Sequence, residues 1–158
     1  MADLDPDQPG LEMVFADFDG NLHAVSSDGR ALWQTSFTTS DDVLTAGAAI
    51  ADLSADGIPE IVLNTYSPTE DRSALFVLDA GGNVLHQLAL PRRGAMPVPT
   101  IADVEGDGTL EIIVSLKDAE DGVESVRVYS VPGSETNCLP WPTGRGNTLR
   151  NGFVPPRG

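Results

Sequence analysis

The chain has 158 residues, with 24 acidic side chains against 9 basic ones and a formal net charge of −15. That length suits one domain with a sizeable core, and that charge argues against a nucleic-acid or anionic-membrane surface as partner. The single cysteine, Cys138, excludes an internal disulfide and a zinc cluster, and no apolar run is long enough for a membrane helix or a signal peptide.

The chain opens on an acidic loop, Asp3-Leu4-Asp5-Pro6-Asp7-Gln8-Pro9-Gly10-Leu11-Glu12, followed by a short apolar strand, Met13-Val14-Phe15-Ala16. A second strand, Leu22 to Ser26, runs into a turn at Asp28-Gly29, and a third, Ala31 to Thr35, leaves it. A fourth, Ala48 to Ala51, is built of small residues suited to a crowded central position and leads into a second loop, Asp52 to Glu60. The order then recurs: Ile61 to Leu63, Leu75 to Asp79, a turn at Gly81-Gly82-Asn83, Val84 to Leu88, and Val98 to Ala102. A third loop, Asp103 to Glu111, is followed by Ile112-Ile113-Val114 and by Val126 to Ser130, with Gly133 in the turn place of Gly29 and Gly82.

The triplets Ala2-Asp3-Leu4, Ala51-Asp52-Leu53 and Ala102-Asp103-Val104 start units 49 and then 51 residues apart (52−3 and 103−52). Four short strands per unit of about 50 residues, with no helix-period segment, is the pattern of a β-propeller blade. A β-sandwich supplies no reason for such a period, and a right-handed β-helix repeats at far shorter intervals. The expected fold is therefore all-β: about three four-stranded antiparallel blades at residues 1–46, 47–97 and 98–137, then an irregular closing tail at 138–158.

The loops carry the chemistry. Of the 24 acids, 11 lie in them: Asp3, Asp5, Asp7, Glu12, Asp52, Asp56, Glu60, Asp103, Glu105, Asp107 and Glu111. Such clusters repel themselves unless a cation sits among them. In the third loop, acids at the first, third and fifth places precede Gly108, which permits a positive φ, while Thr109 offers its carbonyl and Glu111 closes the shell. This is the alternating oxygen-ligand logic of an EF-hand loop, a fit for calcium. Unlike an EF-hand, place twelve holds Val114, and a strand follows in place of a helix. The bland alternative is that Asp and Gly simply make turns, which three copies in register weaken.

The pattern Ile-Ala-Asp-x-x-x-Asp-Gly-x-x-Glu before an apolar strand resembles the FG-GAP or VCBS repeat, the calcium-loop blade of the integrin α-subunit propeller and of many bacterial surface proteins. The resemblance covers roughly residues 1–133. It implies calcium ligands at Asp103, Glu105, Asp107, Thr109 (carbonyl) and Glu111, and at Asp52, Ser54, Asp56, Ile58 (carbonyl) and Glu60. Asp3, Asp5, Asp7 and Glu12 form the corresponding set in the first loop, which has one extra residue and no glycine at the sixth place. In the second loop, Ser54 replaces a carboxylate. The tail from Cys138-Leu139-Pro140-Trp141-Pro142 to Arg150-Asn151-Gly152 resembles a closing segment of some bacterial proteins of this type, and its prolines and glycines predict an irregular surface path anchored by Trp141.

Outside the loops the residues read as structural. His23 and His86 fall in strand columns, Trp33 and Trp141 are packing anchors, Cys138 is inert, and Arg92-Arg93 is a short dibasic turn. Asp71 and the run from Asp118 to Asp121 read as solvated turns. No paired carboxylates, nucleophile with base, or open metal site is left over for catalysis. The expected function is a non-catalytic calcium-binding module for extracellular protein or glycan binding, in a secreted, periplasmic or cell-surface setting. Part of a propeller-fold polysaccharide lyase or hydrolase is the alternative. Because Met1-Ala2-Asp3 starts within a unit and three blades leave a ring open, the expected partners are other blades, from a larger parent chain, a homodimer or a partner chain.

Overall fold

β-Branched and aromatic side chains favour a pleated, half-buried surface, and the apolar runs after each acidic loop become strands. The computed structural model describes residues 1–5, 10–69, 71–118, 125–134 and 139–147. These form ten strands and no helix, so the chain is all-β, and no helix is long and apolar enough to cross a membrane among the described residues. The strands are β1 (Met13–Ala16), β2 (Asn21–Val25), β3 (Ala31–Ser36), β4 (Ala48–Ala51), β5 (Glu60–Asn64), β6 (Ala74–Leu78), β7 (Val84–Ala89), β8 (Thr100–Ala102), β9 (Leu110–Ser115) and β10 (Val126–Val131).

They pair as three antiparallel sheets of consecutive strands: β1-β2-β3, β4-β5-β6-β7, and β8-β9-β10. The strand before each acidic loop pairs with the strand after it, as Ala51 with Glu60 and Ala102 with Glu111. Ala2 and Glu12 form the matching bridge in the first copy. Each loop is thus the connection of a hairpin.

The second sheet is covered on both faces. Ile61, Leu63, Phe76 and Leu78 join Leu22 and, at its edge, Val14 and Trp33 in one apolar cluster with the first sheet. Val62, Leu75 and Val77 join Ile101, Leu110, Ile112 and Val114 in another with the third. Every residue of β5 and β6 is buried. Double-sided burial explains why these strands read as continuous apolar runs rather than alternations. Each large side chain so buried contributes roughly 1.5–3 kcal/mol against solvent exposure. The two outer faces remain open: Met13 and Phe15 are exposed on the first sheet, and Val126 and Val128 on the third.

The tail departs from its expected surface path. Trp141 and Ile50 exchange backbone hydrogen bonds of 3.0 and 2.8 Å, and the Ile101 N–H donates to the Pro142 carbonyl at 2.8 Å. Residues 141–143 therefore stitch β4 to β8, and Pro142 and Thr143 are buried. β4 and β8 are edge strands, whose outward backbone groups need partners, and the tail supplies them at Ile50 and Ile101. Cys138 and Arg150 to Gly152 lie outside the described residues.

The turn glycines differ in what surrounds them. Gly29, Gly82 and Gly133 all take positive φ, at 86°, 84° and 89°. Trp33 of the first sheet lies over Gly82, where an added Cβ would meet indole carbons at 2.7 Å, whereas a Cβ on Gly133 would meet nothing within 4 Å. The indole N–H of Trp33 donates to the Ala80 carbonyl at 2.9 Å, and the Thr35 hydroxyl donates to the Gly82 carbonyl at 2.6 Å. Trp33 is thus the anchor between the first two sheets. Gly82→Ala adds steric overlap to left-handed strain and should cost roughly 2–4 kcal/mol, against about 1 kcal/mol for Gly133→Ala. Urea melts of the two variants measure the difference, and equal losses would mean that Trp33 does not pin this turn.

Candidate metal centre

The second and third acidic loops are wound by their own carboxylates. In the second, Asp52 accepts from the N–H groups of Asp56 at 3.2 Å and Gly57 at 2.9 Å, and Asp56 accepts from Ile58 N–H at 2.8 Å. In the third, Asp103 accepts from Gly106 at 2.6 Å, Asp107 at 3.1 Å and Gly108 at 3.0 Å, and Asp107 accepts from Thr109 at 2.8 Å. Side-chain acceptance of nearby N–H groups is what makes Asp favourable in such turns. The fifth-, sixth- and seventh-place donors match between the two loops, and the fourth-place bond, from Gly106, belongs to the third loop alone among the described residues.

The closing glutamate acts alike in all three copies. Glu12 accepts from Leu4 N–H at 2.7 Å, Glu60 from Leu53 at 2.6 Å and Ser54 at 3.2 Å, and Glu111 from Val104 at 2.8 Å. These carboxylates are buried, Glu12 at 3% exposure and Glu111 at 1%. A buried charge is tolerated only when hydrogen-bonded, and here the backbone N–H at the head of each loop meets that need. The first loop keeps this clamp despite its extra residue. Asp3 and Asp5 are half-buried within it, and Asp7 lies outside the described residues.

The remaining site residues stand on the rim: Ser54, Asp56, Ile58, Glu105 and Asp107 are exposed, and Thr109 is half-buried. All the donors are oxygens, which suits a hard cation such as calcium rather than zinc or copper. Among the described residues, no three His, Cys, Asp or Glu side chains stand together as a finished metal cluster. Asp52 and Asp103 face the N–H groups of their own loops instead. In the second and third loops the side chains that a hard cation such as calcium would use are the first, third and fifth: Asp52, Ser54 and Asp56, and Asp103, Glu105 and Asp107.

Gly57 and Gly108 take φ of 90° and 91° at the sixth place, as the alternating pattern requires. The fourth place also needs a left-handed residue, which the sequence reading missed: Gly106 has φ 73°, and its counterpart Ala55 has φ 59°. An L-residue with a Cβ pays about 1–2 kcal/mol for that conformation. Comparing the second and third loops residue by residue would have exposed it.

Two polar pairings were also invisible in the sequence. Asp118 is no solvated turn: Arg93, from the β7–β8 connection, donates Nε to its two oxygens at 3.0 Å each and a terminal guanidinium nitrogen to Oδ1. The Arg93 hydrogen bond holds the Asp118 carboxyl below the ordinary carboxylate range. Residues 119–121 of that run lie outside the described residues. At the β1–β2 turn, His23 Nε2 lies 2.7 Å from Asp17 Oδ2, and its ring stacks on Phe15 with centroids 5.2 Å apart. The His23 bond, aided by N–H groups of Asn21 and Asp19, holds the Asp17 carboxyl well below its usual range. The pair locks a turn and stands apart from the acidic loops.

Compared with protein-family models the chain matches none, and no curated protein matches it.

Ala55→Gly relieves the left-handed strain, and because glycine's greater freedom in the unfolded chain offsets part of that relief, the net gain should be about 0.5–1 kcal/mol. Chemical denaturation checks this, and a loss of stability would show that Ala55 is not strained. The Arg93–Asp118 pair sets a pH dependence. Because the folded carboxyl sits below its unfolded value of about 4, its contribution is fully present above that pH and fades as pH falls through the folded value. Asp118→Asn should therefore flatten the loss of melting temperature below about pH 4, as scanning calorimetry across pH would show.

Proposed function

We propose that the chain is a non-catalytic, calcium-binding β-propeller module of FG-GAP or VCBS type, which serves extracellular protein or glycan binding. The observation that supports this most is the common winding of the loops. In all three copies a buried glutamate clamps the head of a loop that links two paired strands. In the second and third copies the leading aspartate also gathers the N–H groups of the fifth and sixth places. Such winding leaves the loop acids on one short turn, where a divalent cation offsets their mutual repulsion.

On this reading the sheets are blades, and their open outer faces favour further blades as neighbours, whether from a longer chain, a second copy or a partner. Met13 and Phe15 at one end, and Val126 and Val128 at the other, are the apolar surfaces such neighbours would cover. The net charge of −15 suits a secreted, periplasmic or cell-surface setting rich in calcium.

Calcium is expected to bind at Asp52–Glu60 and Asp103–Glu111 with dissociation constants on the order of 10⁻⁴ to 10⁻³ M, and magnesium far more weakly. Because binding to the folded state adds to its stability, EDTA should lower the melting temperature and Asp107→Ala should reproduce much of that loss. Titration calorimetry that shows no heat with calcium, together with melting indifferent to EDTA, would reduce the loops to acidic turns.

A further inference from the structure

The two contacts between sheets follow one rule. In each, the earlier sheet gives the second residue after its closing glutamate, Val14 or Val62. The later sheet gives the first and third, Ile61 and Leu63 or Ile112 and Val114. The next strand keeps the same register, since Val14 pairs with Ala24, Val62 with Val77 and Ile113 with Val128. Each contact therefore joins two unlike faces, one of each kind.

One face of each kind is left over. The first sheet carries Met13 and Phe15 outward, the first and third residues after Glu12, and the third sheet carries Ile113, the second after Glu111, beside Val128. These places stay apolar although they are not covered. Met13 and Phe15 are 47% and 41% exposed where Ile61 and Leu63 are 0%, and Val126 and Val128 are 46% and 50% exposed where Leu75 and Val77 are 1% and 8%. Their polar neighbours raise no barrier to contact. Thr100 and Ser115, paired with Ile113 and Val126, are uncharged. On the other face the Asp17 carboxylate is held by His23 at 2.7 Å, whose ring stacks on Phe15.

We infer that a second copy of this chain covers both faces, bound head to tail, with the third sheet of each copy against the first sheet of the other. This rests on the reading of the sheets as blades. Both halves of the contact are present in one chain, so a second copy meets each open face with the kind it lacks, and does so at both ends at once. Two copies return six sheets, within the four to eight that close a ring, whereas three do not close one. The two new contacts repeat the pairing of unlike faces already used twice inside the chain, and a two-fold axis relates them.

Sedimentation equilibrium of the full chain in calcium, across a concentration series, should give twice the mass of one chain. Phe15→Glu and Val128→Glu, both at exposed places, should each weaken self-association by more than about a hundredfold, because a charge buried without a partner is costly. Mixed in equal amounts, the two variants should pair one to one, since the first keeps an intact third-sheet face and the second an intact first-sheet face. Circular dichroism checks that they fold, and Met13→Glu or Val126→Glu stands in for either that does not. A chain that stays monomeric, an assembly larger than two, a folded variant that still dimerises alone, or a mixture that stays monomeric would each overturn the inference. Calcium titration separates it from the reading beneath it: a calcium-binding monomer overturns the inference and leaves that reading standing, and a dimer indifferent to EDTA does the opposite.

Discussion

The rest of the molecule depends on the double-sided burial of the second sheet. β5 and β6 alternate their side chains between two apolar clusters, Ile61 and Leu63 on one side and Val62 on the other, and neither face has a polar residue that could tolerate water at its centre. A sheet of this composition cannot stand alone. The first and third sheets are needed as covers, and their positions follow from that need. The stitch of the tail across Ile50 and Ile101 joins β4 to β8, two edge strands whose outward backbone groups no neighbouring strand pairs.

The acidic loops are compatible with so apolar a scaffold because their charge is divided by depth. The closing glutamates go inward, where backbone N–H groups at the head of each loop receive them, and the third- and fifth-place acids stay on the rim in water. The N–H bonds these carboxylates accept hold each loop in its wound form, so the same side chains that crowd the loops also fix their shape. That arrangement makes the loops rigid hairpin connections first, and on the proposed reading it also prepares them for a cation.

Repetition with small departures gives the molecule its asymmetry. Where Trp33 meets Gly82 the contact is closed, whereas among the described residues nothing lies within 4 Å of a Cβ placed on Gly133. Ala55 carries strain at a place that Gly106 occupies without it. Such differences are single-residue changes on a common backbone plan. They separate a covered turn from an open one, and a relaxed loop from a strained one, without altering the order of strands.

How much of this was legible beforehand depends on the range of the interaction involved. The sequence by itself determined the approximate places of the strands, the loops between them and the turn glycines, because these rest on local causes: β-branched runs, carboxylates within a few residues of the N–H groups they accept, and positive φ at Gly57, Gly82 and Gly108. It overstated the strand before the third loop, which is Thr100–Ala102, and the strand number, since two of the three sheets have three strands and one has four. It also showed that strands β1 and β4 begin and end where their apolar runs do. The tertiary structure alone decided that Arg93 finds Asp118, that Trp33 seats on a turn 47 residues away, and that the proline-rich tail bonds to the edge strands β4 and β8. Those contacts join groups far apart in the chain, and no local pattern encodes a partner whose nearness exists only once three sheets have stacked.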